Sequence, residues 1–313
     1  MDSPWIQISD YQPGSGWGAG KQAAERAREC CAQLESGSIL GFAGIPFDFP
    51  AADREFLLDQ RQSNGRIHKN ISYRPKQDLL RGNVSTSTED TERLHSIMRR
   101  FSAEVTRFLG VILTPYQAHW KLDFASFRPE EEQGRDLPLH KRNDLLHVDA
   151  FPSRPTSGNR ILRCFTNINP TQPRVWITTD RFPQLAEKFA RNAGLDKFAA
   201  AGISDRNSVL NSIKRALGLK VVERSAYDRF MLRFHDFLKE NSDFQANCDK
   251  AQLSIPPVST WMCYTDSVPH AVLSGRFALE QTFIVPVKAM VRPEICPLRI
   301  LEKIAGKPLA EAA

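Results

Sequence analysis

Apolar residues recur along this chain with two different periods, and the changes from one to the other divide it. Leu94, Ile97, Met98, Phe101, Val105 and Phe108 fall at helical spacing and predict a long helix that opens at Thr88-Glu89-Asp90. Gly110 is expected to end it, with Pro115 blocking any continuation. Upstream, Lys21 to Leu34 has helical composition and stops at Gly37, SILGFAG reads as a short buried strand, and Pro50 opens a helix over about Ala51 to Gln62. Residues 1–18, rich in Gly, Pro, Ser and Trp, read as an irregular arm.

From Gln117 the period becomes two. HWKLDFASFRP places Trp120, Leu122, Phe124 and Ser126 on one strand face and Lys121, Asp123, Ala125 and Phe127 on the other, with Arg128 closing the strand on the Trp120 face. After the polar loop Glu130 to Arg142, apolar Leu145, Leu146 and Val148 interleave with polar neighbours as a buried strand requires. The turn at Ser157-Gly158-Asn159 leads to a strand from Arg160 to Asn167, and the turn from Pro170 to Pro173 leads to another from Arg174 to Thr178. Helical patterns then cover Phe182 to Ala193, Asn207 to Leu217 and Ala226 to Asn241. The strand pattern returns with VSTWMCYTD, VPHAVLSG and FALEQTFIVPV, Ser274-Gly275 forming a hairpin-like turn. Beyond Pro293, CPLRILEKIAGKPL reads as an apolar-faced helix that either docks on the core or touches a membrane surface.

Short strands joined by turns, interrupted once by helices, predict an α+β fold with a double-stranded β-helix at its core, a cupin-like jelly roll. The jelly roll is expected over residues 117–290, with the helical insertion at about 181–250, a helical region 1–116 packed on the barrel and a helical tail 291–313, all in one structural domain.

The 313 residues suffice for a full-sized core, and 41% hydrophobic with 25% charged residues is the composition of a soluble globular protein. No basic start precedes an apolar run and none approaches the roughly 18 apolar residues of a membrane span, so a cytoplasmic chain is expected. The six cysteines contain no CxxC pair and read as free thiols in a reducing compartment. A net charge of +6 favours an anionic partner: a phosphorylated lipid surface, a nucleic acid or an acidic small molecule.

Chemistry narrows that choice. His147 and Asp149 form the one His-x-Asp of the chain. Residues two apart on a strand face the same side, so both donors would enter one cavity. With seven histidines present, such a pair alone is weak. His270, mid-strand in DSVPHAVL and just before the Gly275 turn, supplies the missing imidazole of a 2-His-1-carboxylate site for Fe(II). Such a site leaves positions open for 2-oxoglutarate and dioxygen, and a cation must then hold the distal carboxylate of the cosubstrate. Arg163 shares a face with Phe165 and Asn167, Arg174 shares one with Trp176, and Arg128 ends the preceding strand. The usual place for such a cation, about ten residues after the distal histidine, offers Glu280 and Gln281, with Arg276 a lesser candidate in the turn. The basic stretch Arg66 to Arg81 reads either as a solvated loop or as the anion-facing rim of a cleft.

The runs SFRPEEEQGRDL, NDLLHVDAFPSRPTSGNRILRCFTNINP, RVW and VPHAVLSGRFALEQTF resemble the Kdo 3-hydroxylases of Gram-negative bacteria, the resemblance extending from about Asn70 to Pro286. It implies iron on His147, Asp149 and His270, and 2-oxoglutarate held by Arg128, Arg163, Arg174 and Trp176. It also implies a catalytic role beside the iron for His235, in RFMLRFHDFLKEN, which by itself reads as a helix-face residue. The implied reaction is the Fe(II)-, 2-oxoglutarate- and O2-dependent hydroxylation of the C3 methylene of Kdo on Kdo-lipid A, giving Ko, by an enzyme peripheral to the cytoplasmic face of the inner membrane. Lys69, Arg74, Lys76 and Arg81 are then candidates to orient the sugar carboxylate and lipid phosphates. The alternatives are an oxygenase of the same type on another substrate and a non-catalytic cupin-like sugar- or lipid-binding protein. Nucleic acid is disfavoured, since aromatics are sparse in the basic stretch and no recognition helix is evident.

Overall fold

A computed structural model describes residues 3–13, 17–61, 70–83, 87–134, 136–203 and 221–311. The first third lays down β1 (Trp5–Ile8), α1 (Lys21–Glu35), β2 (Ile39–Phe42), α2 (Ala51–Leu58), β3 (Ile71–Arg74), β4 (Leu79–Arg81), α3 (Thr88–Ile112) and the short α4 (Thr114–Gln117). The middle adds β5 (Lys121–Arg128), β6 (Arg160–Asn167), β7 (Arg174–Thr178), α5 (Phe182–Phe189), α6 (Leu195–Ala200), α7 (Ala226–Glu240) and α8 (Ser242–Asn247). β8 (Ala251–Ile255), β9 (Ser259–Tyr264), β10 (His270–Ser274), β11 (Ala278–Val285) and α9 (Pro297–Ala305) complete the chain. The expected helix from Asn207 to Leu217 lies outside the described residues.

Eight strands form a major sheet in the order β1-β2-β9-β6-β11-β5-β3-β4, and β10-β7-β8 form a minor one. The two sheets make the double-stranded β-helix. All pairings are antiparallel except β1 with β2. The outer face of the major sheet is covered by α1 and α3, where Leu34, Leu94, Met98, Phe101 and Phe108 are buried, each contributing about 1.5–3 kcal/mol by leaving water.

Several local expectations are corrected. The N-terminal arm contains a strand, because Trp5 lies flat on the glycine of β2: a Cβ at Gly41 would fall 1.9 Å from its ring. The basic stretch is not a simple loop, since its described part folds into the β3–β4 hairpin at the sheet edge. α3 runs through Gly110 to Ile112, where Gln117 packs against the missing side chain, and Pro115 occupies the first turn of α4, where no N–H is needed. The start of α3 at Thr88 is as expected, and Ser87 caps it, its hydroxyl accepting from Asp90 N at 3.2 Å.

β5 departs from simple alternation. Opposite Gln281 and Phe283 of β11, it pairs Ala125 and Leu122, so β5 carries one residue more than its partner there. That bulge turns the phase over. Trp120 and Leu122 pack into the same core as Ala125 and Phe127, whereas Phe124 lies beneath Arg74 and Arg154 and Arg128 lines the inner cavity.

The tail helix α9 buries Leu298 and Leu301 in the apolar cluster built by α5 and α7. Its apolar face is thus spent on the core, and no helix among the described residues is long and apolar enough to cross a membrane. All six cysteines are free.

Candidate metal centre

The segment carrying His147 and Asp149 is extended without forming a full strand. His147 exchanges both backbone hydrogen bonds with His270, at 3.2 and 2.9 Å, and Asp149 N donates to Thr265 O at 2.8 Å. The segment is thereby pinned to β10 at one ligand and to the end of β9 at the other. Two residues of extended backbone suffice to send both side chains inward, and the backbone pairing sets the third ligand opposite the first.

The donor atoms of His147, Asp149 and His270 all lie within 4.8 Å of one another. His147 Nδ1 is 2.7 Å from Leu145 O and His270 Nδ1 is 2.9 Å from Val268 O. A carbonyl oxygen only accepts, so each Nδ1 carries the proton and each Nε2 keeps its lone pair. The Nε2 atoms lie 3.8 and 4.0 Å from the two Asp149 oxygens. Burial pushes both imidazoles below their ordinary pKa, for His147 with help from the Lys239 charge, so they are neutral. Burial alone would raise the Asp149 carboxyl, but the Arg163 guanidinium at 3.2 Å outweighs it and holds the group ionised. Asp149 Oδ2 is buried and, beyond the ion pair with Arg163, accepts no hydrogen bond among the described residues. Two neutral imidazoles and a buried, ionised carboxylate fit a divalent metal.

The ligands open into a cavity of about 680 Å³. All four residues expected to hold 2-oxoglutarate line it, but they differ in what they already hold. Arg128 pairs with Glu132 at 3.1 Å and Glu280 at 2.9 Å. Arg163 pairs with Asp149 and, at 3.6 Å, with Glu280. Among the described residues, Arg174 donates only to Gly275 O, at 2.6 Å, and its buried Nε has no partner. Burial without a carboxylate in contact pushes this guanidinium down to about 10. Gly275 has to be glycine for this contact: φ is +113° and a Cβ would come within 2.8 Å of the Arg174 backbone. Trp176 stacks on His270, ring centroids 5.1 Å apart at 22°, with its Nε1 also unpartnered. Phe165 and Trp261 complete the dry wall behind it.

His235 reaches the site from α7. Asp228, in the capping box of that helix, also accepts from Thr156 N at 2.8 Å and Ser157 N at 3.0 Å, tying the helix to the loop that follows Asp149. The His235 ring then stands edge-on to His147 at 4.9 Å, its Nδ1 donating to Val148 O at 2.8 Å. Burial and the neighbouring Lys239 lower its pKa, so it too is neutral.

Among the basic residues expected to orient the substrate, Arg74 lies over Phe124 near the rim, Lys76 and Arg81 stand on the outer hairpin, and Lys69 lies outside the described residues. Sequence reasoning missed Glu132, whose pairing with Arg128 bridges a loop to a strand, and Lys239. The signal for Lys239 was its spacing, one helical turn beyond His235 on the same face of α7.

A model of the 3-deoxy-D-manno-oct-2-ulosonic acid (Kdo) hydroxylase family matches residues 18–308. Among solved structures, the chain is similar to the apo form of the Kdo hydroxylase KdoO, a non-heme Fe(II) α-ketoglutarate-dependent dioxygenase, at 33% identity and a TM-score of 0.83 over 99% of each chain. The complex of KdoO with α-ketoglutarate and Fe(III) matches at 32% identity and a TM-score of 0.82, and the cobalt(II) complex at 34% and 0.83, each again over 99% of both chains. No curated protein sequence matches.

Proposed function

The chain belongs to the Kdo hydroxylase family, and from that premise and the geometry of the cavity we infer that it is an Fe(II)- and 2-oxoglutarate-dependent dioxygenase that hydroxylates Kdo. The observation that carries the reading is the meeting of His147, Asp149 and His270 around one point, beside an arginine left without a carboxylate. In finer terms we propose that the oxygen enters at the C3 methylene of Kdo on Kdo-lipid A, giving Ko.

The proposed roles follow from what each group already does. His147 and His270 offer Nε2 because their Nδ1 protons are committed to backbone carbonyls. Asp149 offers its carboxylate, kept charged by Arg163. With Fe(II) and 2-oxoglutarate bound there, decarboxylation of the keto acid with dioxygen supplies the oxidant for inserting one oxygen into a C–H bond. Arg174 is the residue proposed to take the distal carboxylate, a bidentate match for its free Nε, and the Trp176 indole N–H, also without a partner among the described residues, is a further donor in the same cavity. Arg128 and Arg163, held by Glu280, brace that pocket. His235, edge-on to His147, supports the ligand from the helix side. A methylene offers no hydrogen-bonding handle, so selectivity rests on holding the sugar near the metal while the aromatic wall excludes water. The lipid portion of the acceptor is proposed to remain in the inner membrane, with the protein peripheral on its cytoplasmic side.

Mass spectrometry of the lipopolysaccharide core from cells with and without the protein tests the reading. A gain of one oxygen on Kdo is expected with the wild-type chain and none with Asp149→Ala. An unchanged Kdo mass with wild-type protein, or 2-oxoglutarate turnover that survives Asp149→Ala, overturns it.

A further inference from the structure

Beyond its charge acting on His147 and His235, Lys239 has no role in what has been described, yet it lies in the wall of the same cavity. On α7, Leu232, His235, Asp236 and Lys239 form the stripe that faces inward. The lysine is only 3% exposed, and its one partner among the described residues is His140 O at 3.1 Å. An ammonium has three protons to donate, and no described carboxylate lies within ion-pair distance of this one. Burial pushes its pKa down to about 8, with Asp149, Asp236, Asp144 and Glu132 acting from further away in the opposite sense. A buried cation in that condition is costly unless an anion joins it.

Charge around the cavity points the same way. Four inner cations, Arg128, Arg163, Arg174 and Lys239, face three carboxylates, Glu132, Asp149 and Glu280. Of the other described charges on the lining, Arg154 is paired with Asp123 at 2.9 Å, and the more solvated Asp236 and Lys141 are opposite in sign. A divalent metal and a dicarboxylate cosubstrate cancel, so one positive charge is left over. The arginine side of the cavity already suits the cosubstrate, since a rigid fork matches a carboxylate bidentately. A lysine is a point charge on a flexible stem that suits one further anion on the opposite side.

We propose that Lys239 is the binding residue for the carboxylate of the acceptor sugar, setting a preference for a sugar acid over its neutral analogue. This rests on the Kdo reading above. A Kdo-bearing lipid A and its Kdo methyl ester, which keeps every phosphate, are the two acceptors for the test, each assayed with wild-type, Lys239→Met and Lys239→Arg protein. Urea midpoints establish that each variant is folded.

The wild-type chain is expected to favour the acid by about 10- to 100-fold in KM, as loss of a charge-assisted contact predicts. Lys239→Met should raise KM for the acid by a similar factor and leave acid and ester alike, with Lys239→Arg in between. KM for 2-oxoglutarate should move less than about twofold, far short of a lost contact. Calorimetric titration of free Kdo into the anaerobic ferrous protein with 2-oxoglutarate should show the same loss of affinity. A Lys239→Met protein that still discriminates acid from ester, or loses 2-oxoglutarate affinity instead, overturns the proposal. Equal losses on both acceptors would assign the lysine to a phosphate and overturn it as well. Wild-type protein that consumes 2-oxoglutarate but hydroxylates neither acceptor defeats the Kdo reading itself, and the lysine assignment falls with it.

Discussion

Arg160 and Arg174 are both fully buried cations, at the starts of neighbouring strands in sequence, yet they sit in opposite conditions. Outside the cavity lining, Arg160 makes hydrogen bonds to Asp266 at 2.8 and 3.1 Å and to Ser267 Oγ at 2.6 Å, and stacks 4.0 Å over Tyr264. Burial alone would lower its pKa, but the Asp266 carboxylate more than reverses that. In the cavity wall, Arg174 has one backbone carbonyl among the described residues and its guanidinium is pushed down. A paired buried arginine holds a fold together; an unpaired one beside a cavity is held in readiness for an anion. The difference lies entirely in whether the chain supplies the carboxylate.

The comparison is sharpened most by Arg160→Met. That change strands Asp266 without its partner and should cost about 3–5 kcal/mol in urea unfolding, while KM for 2-oxoglutarate in the surviving folded fraction stays near wild type. A cost below about 1 kcal/mol, the level of a surface pair, breaks the contrast. Arg174→Met should act in the reverse sense. KM for 2-oxoglutarate rises about 10- to 100-fold, and the urea midpoint without ligand is unchanged or higher, because an unpaired buried charge has been removed. If that midpoint falls as for Arg160→Met, both arginines are structural.

A smaller effect probes the intermediate case, Glu280, which braces Arg128 and Arg163. Burial would raise its carboxyl, but the two arginines prevail and hold it below its ordinary value of 4.5. A depressed folded-state pKa gives stability that is present above pH 4.5 and lost as pH falls through the lower, folded value. The stability advantage of wild type over Glu280→Gln should therefore be largest near neutrality and shrink in acid. An advantage that grows on acidification sinks the assignment.

Legibility in the sequence followed the range of the physics involved. β6 and β7 end where their turn residues place them, and α1, α3 and α7 follow their apolar stripes to within a few residues, because both signals are local. The β5 faces were misplaced because one inserted residue inverts everything on one side of it, and a bulge leaves no mark in a pattern of apolar and polar positions. β1 depended on an indole finding a glycine more than thirty residues away.

Sequence by itself singled out the three proposed metal ligands: His147 and Asp149 needed only the alternation of an extended backbone, and His270 stood out by its setting in a strand before a turn. Only the tertiary structure decided which cations are spoken for. Arg128, Arg160 and Arg163 find their carboxylates at Glu280, Asp266 and Asp149 across strand pairings and turns, while Arg174 and Lys239 find none among the described residues. Charges report their number along the chain, but their pairing is a matter of distance in the folded barrel.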